Sequence, residues 1–295
     1  ADFWMRFQSQ YEIDKARLKK KNIRKIELIE TWNIIKEYVP VKCFRKHGYI
    51  GESLENDISV INDIYQVNSI DGLINTVAEH QALAYYRKSD KLQIDNNNML
   101  AWSKLAEFEA AKVELRKFAP KKIEQLKKEL QIIFFENKDV IEKTQSKLKE
   151  YGIKLVYIPR FEKAPVDGFS FWSKSNPVIA LTLRHKRIDN FAFNIFHELG
   201  HIELHLQKEK KRKFLDIFGA KQNNIYEQQA NKYAQKSSIT ENQWTDLVNS
   251  DIPLTDDRIK EFAFKYRINP AIVLGRVCHD MNYYAVKSSI DKTLN

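Results

Sequence analysis

Apolar positions recur at helical spacing through most of the first 150 residues and give way to short strand-type runs after Gly152. Ile23–Val39 and Glu52–Gln66 both carry the three-to-four-residue period of an amphipathic helix, parted by a joint, Val39–Gly51, that holds Pro40, Gly48 and Gly51. Ile70–Ala84 is a third such stretch. A polar break at Asn96–Asn98 precedes Met99–Phe118, in which Leu100, Leu105, Phe108, Ala111 and Leu115 keep the helical spacing. Pro120 fits the first turn of a helix reaching about Phe135, and Lys138–Tyr151 forms the next, with Gly152 as its C-cap signal. Met99-Leu100-Ala101-Trp102 and Phe134-Phe135 are expected in the core.

The second half reads differently. Ile153–Ile158, Asp167–Trp172 and Pro177–Leu183 are short, β-rich and bounded by Pro, Gly, Asn or Ser. Asp167–Trp172 is expected as an edge strand where a peptide could add as a further strand. A long helix over about Asp189–Leu206 follows, then helices at Asn224–Ser237, Asp256–Tyr266 and Ala271–Met281, with Pro270 in the first turn of the last. The polar tail Lys287–Asn295 is expected to fray. The pattern predicts an α+β protein: a mostly helical N-terminal half, then a compact domain with a small sheet. No internal repeat at 20–50 residues is visible.

Composition narrows the classes. The chain has 295 residues, 43% hydrophobic and 12% aromatic, which excludes disorder for the chain as a whole and leaves room for about two domains. No apolar run approaches the roughly 18–20 residues of a membrane helix, and no signal segment opens the chain, so a soluble, cytoplasmic protein without a membrane partner is expected. Two cysteines, Cys43 and Cys278, make neither a disulfide framework nor a zinc–thiolate cluster. The net charge is +10, and residues 1–25 carry half of it, with eight Lys/Arg against three acids. Lys15–Lys25 reads equally as a phosphate-contacting run or a solvated helix face, and Lys208–Lys213 as a loop or an anion patch. Phe3, Phe7 and Tyr11 form a helical stripe with nothing N-terminal to pack on. Together with a first residue that is not Met, this leads us to expect a piece of a longer chain.

The sharpest chemical signal is Phe196-His197-Glu198-Leu199-Gly200-His201. On a helix, residues four apart share a face, so both imidazoles can hold one metal ion. Glu198, rotated about 100° away, is suited to act as general base on a water. A hydrolytic zinc site needs a third protein ligand. His205 shares the face, but on a straight helix it lies about 12 Å along the axis from His197, which makes it a surface residue or a support behind the ligands. Glu227 is the better candidate, 26 residues beyond His201 on a second helix that Ala230 and Ala234 allow to approach closely. Otherwise it is a solvated helix charge. Asn231, one turn on, can bond the outer nitrogen of a ligand imidazole and fix its tautomer. No phosphate-binding glycine loop, nucleophile elbow or serine triad is present.

Asn190–His201, followed by Glu227-x-x-Ala230-Asn231-x-Tyr233-Ala234, resembles the ImmA/IrrE family of zinc metallopeptidases, with Asn176–Leu181 similar to the strand before the metal helix and Ile268–Arg276 to the closing helix. The likeness covers about Tyr151–Asp280. It implies Zn2+ held by His197, His201 and Glu227, and Glu198 as catalytic base, in a peptidase acting on repressors or related regulators. Two departures stand out: Gln229 where the family often has glutamate, and Lys236–Thr240 in place of an apolar, proline-bearing segment. Asp2–Glu12 resembles the last helix of XRE-type helix-turn-helix domains, as in HigA-like antitoxins, which implies operator DNA read by homodimers through helices upstream of Ala1. The expected division is 1–20 as the end of that domain, 21–150 as a helical domain and 151–295 as the metallopeptidase domain. The alternative function is a HigA-like antitoxin or repressor that binds a cognate toxin and uses the metallopeptidase fold as scaffold or sensor.

Overall fold

The computed structural model describes residues 2–85, 94–218, 224–249, 253–282 and 287–295, without the side chains of residues 2, 3 and 82–85. Two compact units divide within one helix, after Lys104. The first unit contains α1 (Asp2–Tyr38), α2 (Val41–Lys46), α3 (Leu54–Tyr65), α4 (Ile70–Tyr85) and the first part of α5 (Asn96–Lys112). Ser53 caps α3 by accepting from Asn56 N, and Ile61, Ile64 and Tyr65 are buried beside Ile35, Leu73 and Val77. The N-terminal stripe is not covered: Phe7 and Tyr11 are 63% and 58% exposed, and the Phe3 side chain lies outside the described residues.

The second unit follows from Leu105. It comprises the end of α5, α6 (Ile123–Glu136), α7 (Val140–Glu150), β1 (Lys154–Tyr157), β2 (Val166–Ser173), β3 (Asn176–Leu181), α8 (Ile188–His201), β4 (Phe214–Ile217), α9 (Ile225–Ser238), α10 (Glu241–Val248), α11 (Asp256–Tyr266) and α12 (Pro270–Asp280). The sheet order is β1-β3-β2-β4, with β1 parallel to β3 and the other pairs antiparallel. Every residue of β3 is buried, as expected of a central strand with both faces covered. On α8, Ile188, Phe191, Ala192, Ile195, Phe196 and Leu199 join a core with α6, α12 and the sheet, where the Phe196 ring meets Phe134 edge-on at 5.4 Å. That packing makes α8 a fixed platform.

Several expectations need correction. The helix that begins near Met99 stops at Lys112, because residues 113–119 instead meet the sheet: Asn176 donates to Arg116 O (2.8 Å), and the Phe118 and Trp172 rings lie edge-on at 5.9 Å. β2 is interior, and the edge next to it is β4, which the lysine-rich approach to Phe214 concealed. The tail is held rather than frayed: Ile290 is buried, Ser289 bonds Asp256, and Val140 N donates to Asn295 O at 2.8 Å. Phe134 is buried as expected, whereas Phe135 is half-buried against Phe264. The helix expected through Leu206 changes after His201 into a π-turn over Ile202–Leu206. Among the described residues, no helix is long and apolar enough to cross a membrane.

Candidate metal centre

His197 and His201 lie at the C-terminal end of α8, where the helix dipole favours positive charge, and Glu227 lies in the first turn of α9, where it favours negative charge. Asn224 caps α9 by accepting from Tyr226 N at 3.0 Å. The two helices pack closely because Ala230 and Ala234 are small and because Gly200 leaves room for the Tyr233 ring. A Cβ at Gly200 would come within 3.1 Å of that ring.

The approach brings three donor atoms together. His197 Nε2 and His201 Nε2 are 3.0 Å apart, and Glu227 Oε2 lies 3.2 Å from the first and 3.4 Å from the second. Tetrahedral zinc at bond lengths of about 2.0–2.1 Å requires donor–donor edges of about 3.3 Å, so the trio fits one face of such a tetrahedron. Both imidazoles are buried. Phe214 stacks on the His201 ring at 4.4 Å and Phe193 lies 6.0 Å from that of His197, which fixes the ring planes. Asn231 Oδ1 is 2.9 Å from His197 Nδ1; an amide oxygen only accepts, so Nδ1 keeps its proton and Nε2 faces the trio.

Without an ion, the trio carries its charge as an imidazolium–carboxylate pair. Burial opposes charge on His197, but the hydrogen bond to Glu227 and the field of Glu198 outweigh it and raise the pKa to about 9. Burial lowers His201 to about 4, helped by the neighbouring His197. For Glu227, burial acts upward, yet the hydrogen bonds from both imidazoles hold it at about 2.

Glu198 points elsewhere, to the sheet. Its carboxylate meets Ser170 Oγ on β2 and rests over Gly168, where no side chain intervenes. Burial raises it to about 8. Asp216, on β4, brings a carboxylate within 4.8 Å of ligand-type atoms of His197 and Glu198, and burial raises its pKa as well. Sequence reasoning missed Asp216; the signal available was the apolar run Phe214–Phe218 between lysines and a glycine. It also placed His205 only loosely. That residue is buried beyond His201, in the π-turn. A cavity of about 360 Å3 lies along the same face of α8, with Phe193 on its wall.

Comparison with known families agrees with this geometry in one stretch. No curated protein matches the chain. Residues 148–266, which run from the end of α7 to the end of α11 and include α8 and α9, match the model of the Peptidase_M78 family, the IrrE N-terminal-like domain, a metallopeptidase-type domain.

Proposed function

We propose that the second unit is a zinc-dependent endopeptidase domain that hydrolyses a peptide bond in a regulatory protein. The observation that carries the reading is the set of three donor atoms at 3.0–3.4 Å with a buried, unligated carboxylate beside it. His197, His201 and Glu227 would hold the ion, with Asn231 fixing the first imidazole. Zinc held there would supply Lewis acidity to a substrate carbonyl and to an attacking water. Glu198 would accept a proton from that water. Its burial makes it a stronger base than an exposed carboxylate, so it holds the proton long enough to hand it to the leaving amine. Ser170 and Gly168 keep its carboxylate in place. The cavity walled by Phe193, whose ring lies 6.0 Å from that of His197, gives room for a substrate side chain.

A regulatory protein as substrate is supported by the resemblance stated above and by α1, whose exposed Trp4, Phe7 and Tyr11 suit a helix of an XRE-type domain that binds operator DNA as a homodimer. The test uses purified protein, metal analysis and an XRE-type repressor as substrate. The expected result is about one zinc per chain and cleavage, with Glu198→Gln keeping zinc and losing cleavage. Zinc-loaded protein that leaves such repressors intact would favour the antitoxin alternative, and loss of zinc from Glu198→Gln would remove Glu198 from the role of base.

A further inference from the structure

Behind His201 runs a second line of polar groups that the mechanism above does not use. His201 Nδ1 lies 3.3 Å from His205 Nδ1, and His205 Nε2 lies 2.8 Å from Gln229 Oε1. His205 follows His201 by four residues, the spacing that keeps both on one face, and the backbone between them is the π-turn over Ile202–Leu206. π-turns inserted in α-helices recur at functional sites. The Phe214 and Tyr226 rings, 5.2 and 5.0 Å from His205, enclose it.

Proton counting along this line gives one answer for a metal-binding His201. An amide oxygen accepts, so Gln229 Oε1 takes a proton from His205 Nε2. A neutral imidazole with its proton on Nε2 has a lone pair on Nδ1, and that lone pair accepts from His201 Nδ1–H. His201 is then left with a bare Nε2, the atom turned toward His197 and Glu227. The opposite orientation of the amide reverses every step: Gln229 would donate, His205 would donate, and His201 would carry its proton on Nε2, where a cation must bind.

We propose that His205 and Gln229 are positioning residues that set the His201 tautomer for zinc through the relay Gln229–His205–His201. This rests on the reading of the trio as a zinc site. Asn231 performs the same task for His197 in a single step, so each ligand imidazole has its own partner on α9. A carboxylate at position 229 could only accept. Gln229 can face either way, which leaves the His201 tautomer open to the reversed state.

The test is zinc affinity of the whole chain by competition with a chromophoric chelator, which needs no substrate. His205→Phe should weaken zinc binding about 10–100-fold, the usual cost of losing a partner behind a metal ligand. His205→Asn, whose amide oxygen stands where Nδ1 was, should recover most of that loss. Gln229→Leu, at an exposed position and therefore safe for folding, should weaken binding, and Gln229→Glu should tighten it. Imidazole 15N spectra of the zinc-loaded protein should show His205 protonated at Nε2. Unchanged affinity in both His205→Phe and Gln229→Leu would overturn the relay, as would His205→Asn binding no better than His205→Phe. A parent chain that takes up no zinc would instead overturn the metal reading itself, so the two failures are told apart.

Discussion

Gly168 on β2 lies directly beneath Glu198 on α8: a Cβ built at Gly168 would stand 2.8 Å from the Glu198 carboxyl carbon and overlap the nearer oxygen. The strand therefore sets where the Glu198 carboxylate stands. Gly168 adjoins a register irregularity in the pairing of β2 with β4, and its φ is negative, so close approach rather than backbone conformation requires glycine there. Gly168→Ala should shift the carboxylate by about 1 Å and lower peptidase turnover by roughly 100-fold, the usual cost of misplacing a catalytic group that far. Zinc content and affinity should stay near those of the parent, because Gly168 touches none of the three donors. Turnover and zinc titration on the same preparation check both halves.

Glu198 also sets a stability that changes with pH. In the folded, metal-free protein its pKa is raised by burial to about 8, against 4.5 when unfolded. Between those values the folded chain holds a proton that the unfolded chain has released, so this group makes folding less favourable as pH rises through that window. Glu198→Gln removes the ionisation. The variant should therefore be more stable than the parent in metal-free buffer, by a margin that widens from about pH 4.5 to pH 8 and reaches roughly 1–3 kcal/mol. Urea unfolding at pH 5 and pH 8 measures it. A margin that stays flat across the window would show that the Glu198 carboxylate is solvated in the folded state.

The helices α8 and α9 and the meeting of His197, His201 and Glu227 could be read from sequence because a local rule places them. Histidines four apart on an apolar helix share a face whatever surrounds them, and Glu227 with Asn231 repeats that spacing on the next helix. What escaped depends on contacts distant in sequence. Val113–Ala119 has an acceptable helical pattern, yet Asn176 and Trp172 hold it against the sheet. The C-terminal tail is polar along its length, and its order comes from Asp256, Val140 and Arg187, none of them near it in sequence. β4 is four residues long and follows a run of lysines, so no periodicity marks it, and Asp216 went unseen with it. His205 was weighed only against His197, eight residues away; its meeting with His201, four residues away, needs no more than the shared helix face, and the π-turn between them left no mark in the sequence.

Zinc uptake should be coupled to proton release in a way these same groups determine. At pH 6–7 the metal-free site holds one proton on His197, whose pKa is raised to about 9, and one on Glu198, raised to about 8. His201 is already neutral and Glu227 already ionised, since their values lie near 4 and 2. A cation bound through His197 Nε2 must displace the first proton, and its charge beside Glu198 drives off the second. Apparent zinc affinity should then rise with pH by about one to two decades per unit below pH 8, by about one between pH 8 and 9, and level off above. In Glu198→Gln only the His197 proton remains, so proton release at pH 6.5 should fall by about one per ion, while the histidine-linked rise persists but levels off below pH 9, because the Glu198 field that helps to raise His197 is gone. Calorimetric titration in buffers of different ionisation enthalpy counts the protons directly. An unchanged count in the variant would mean that Glu198 is ionised before the metal arrives, which would leave the proton-carrying role assigned to it without its physical basis.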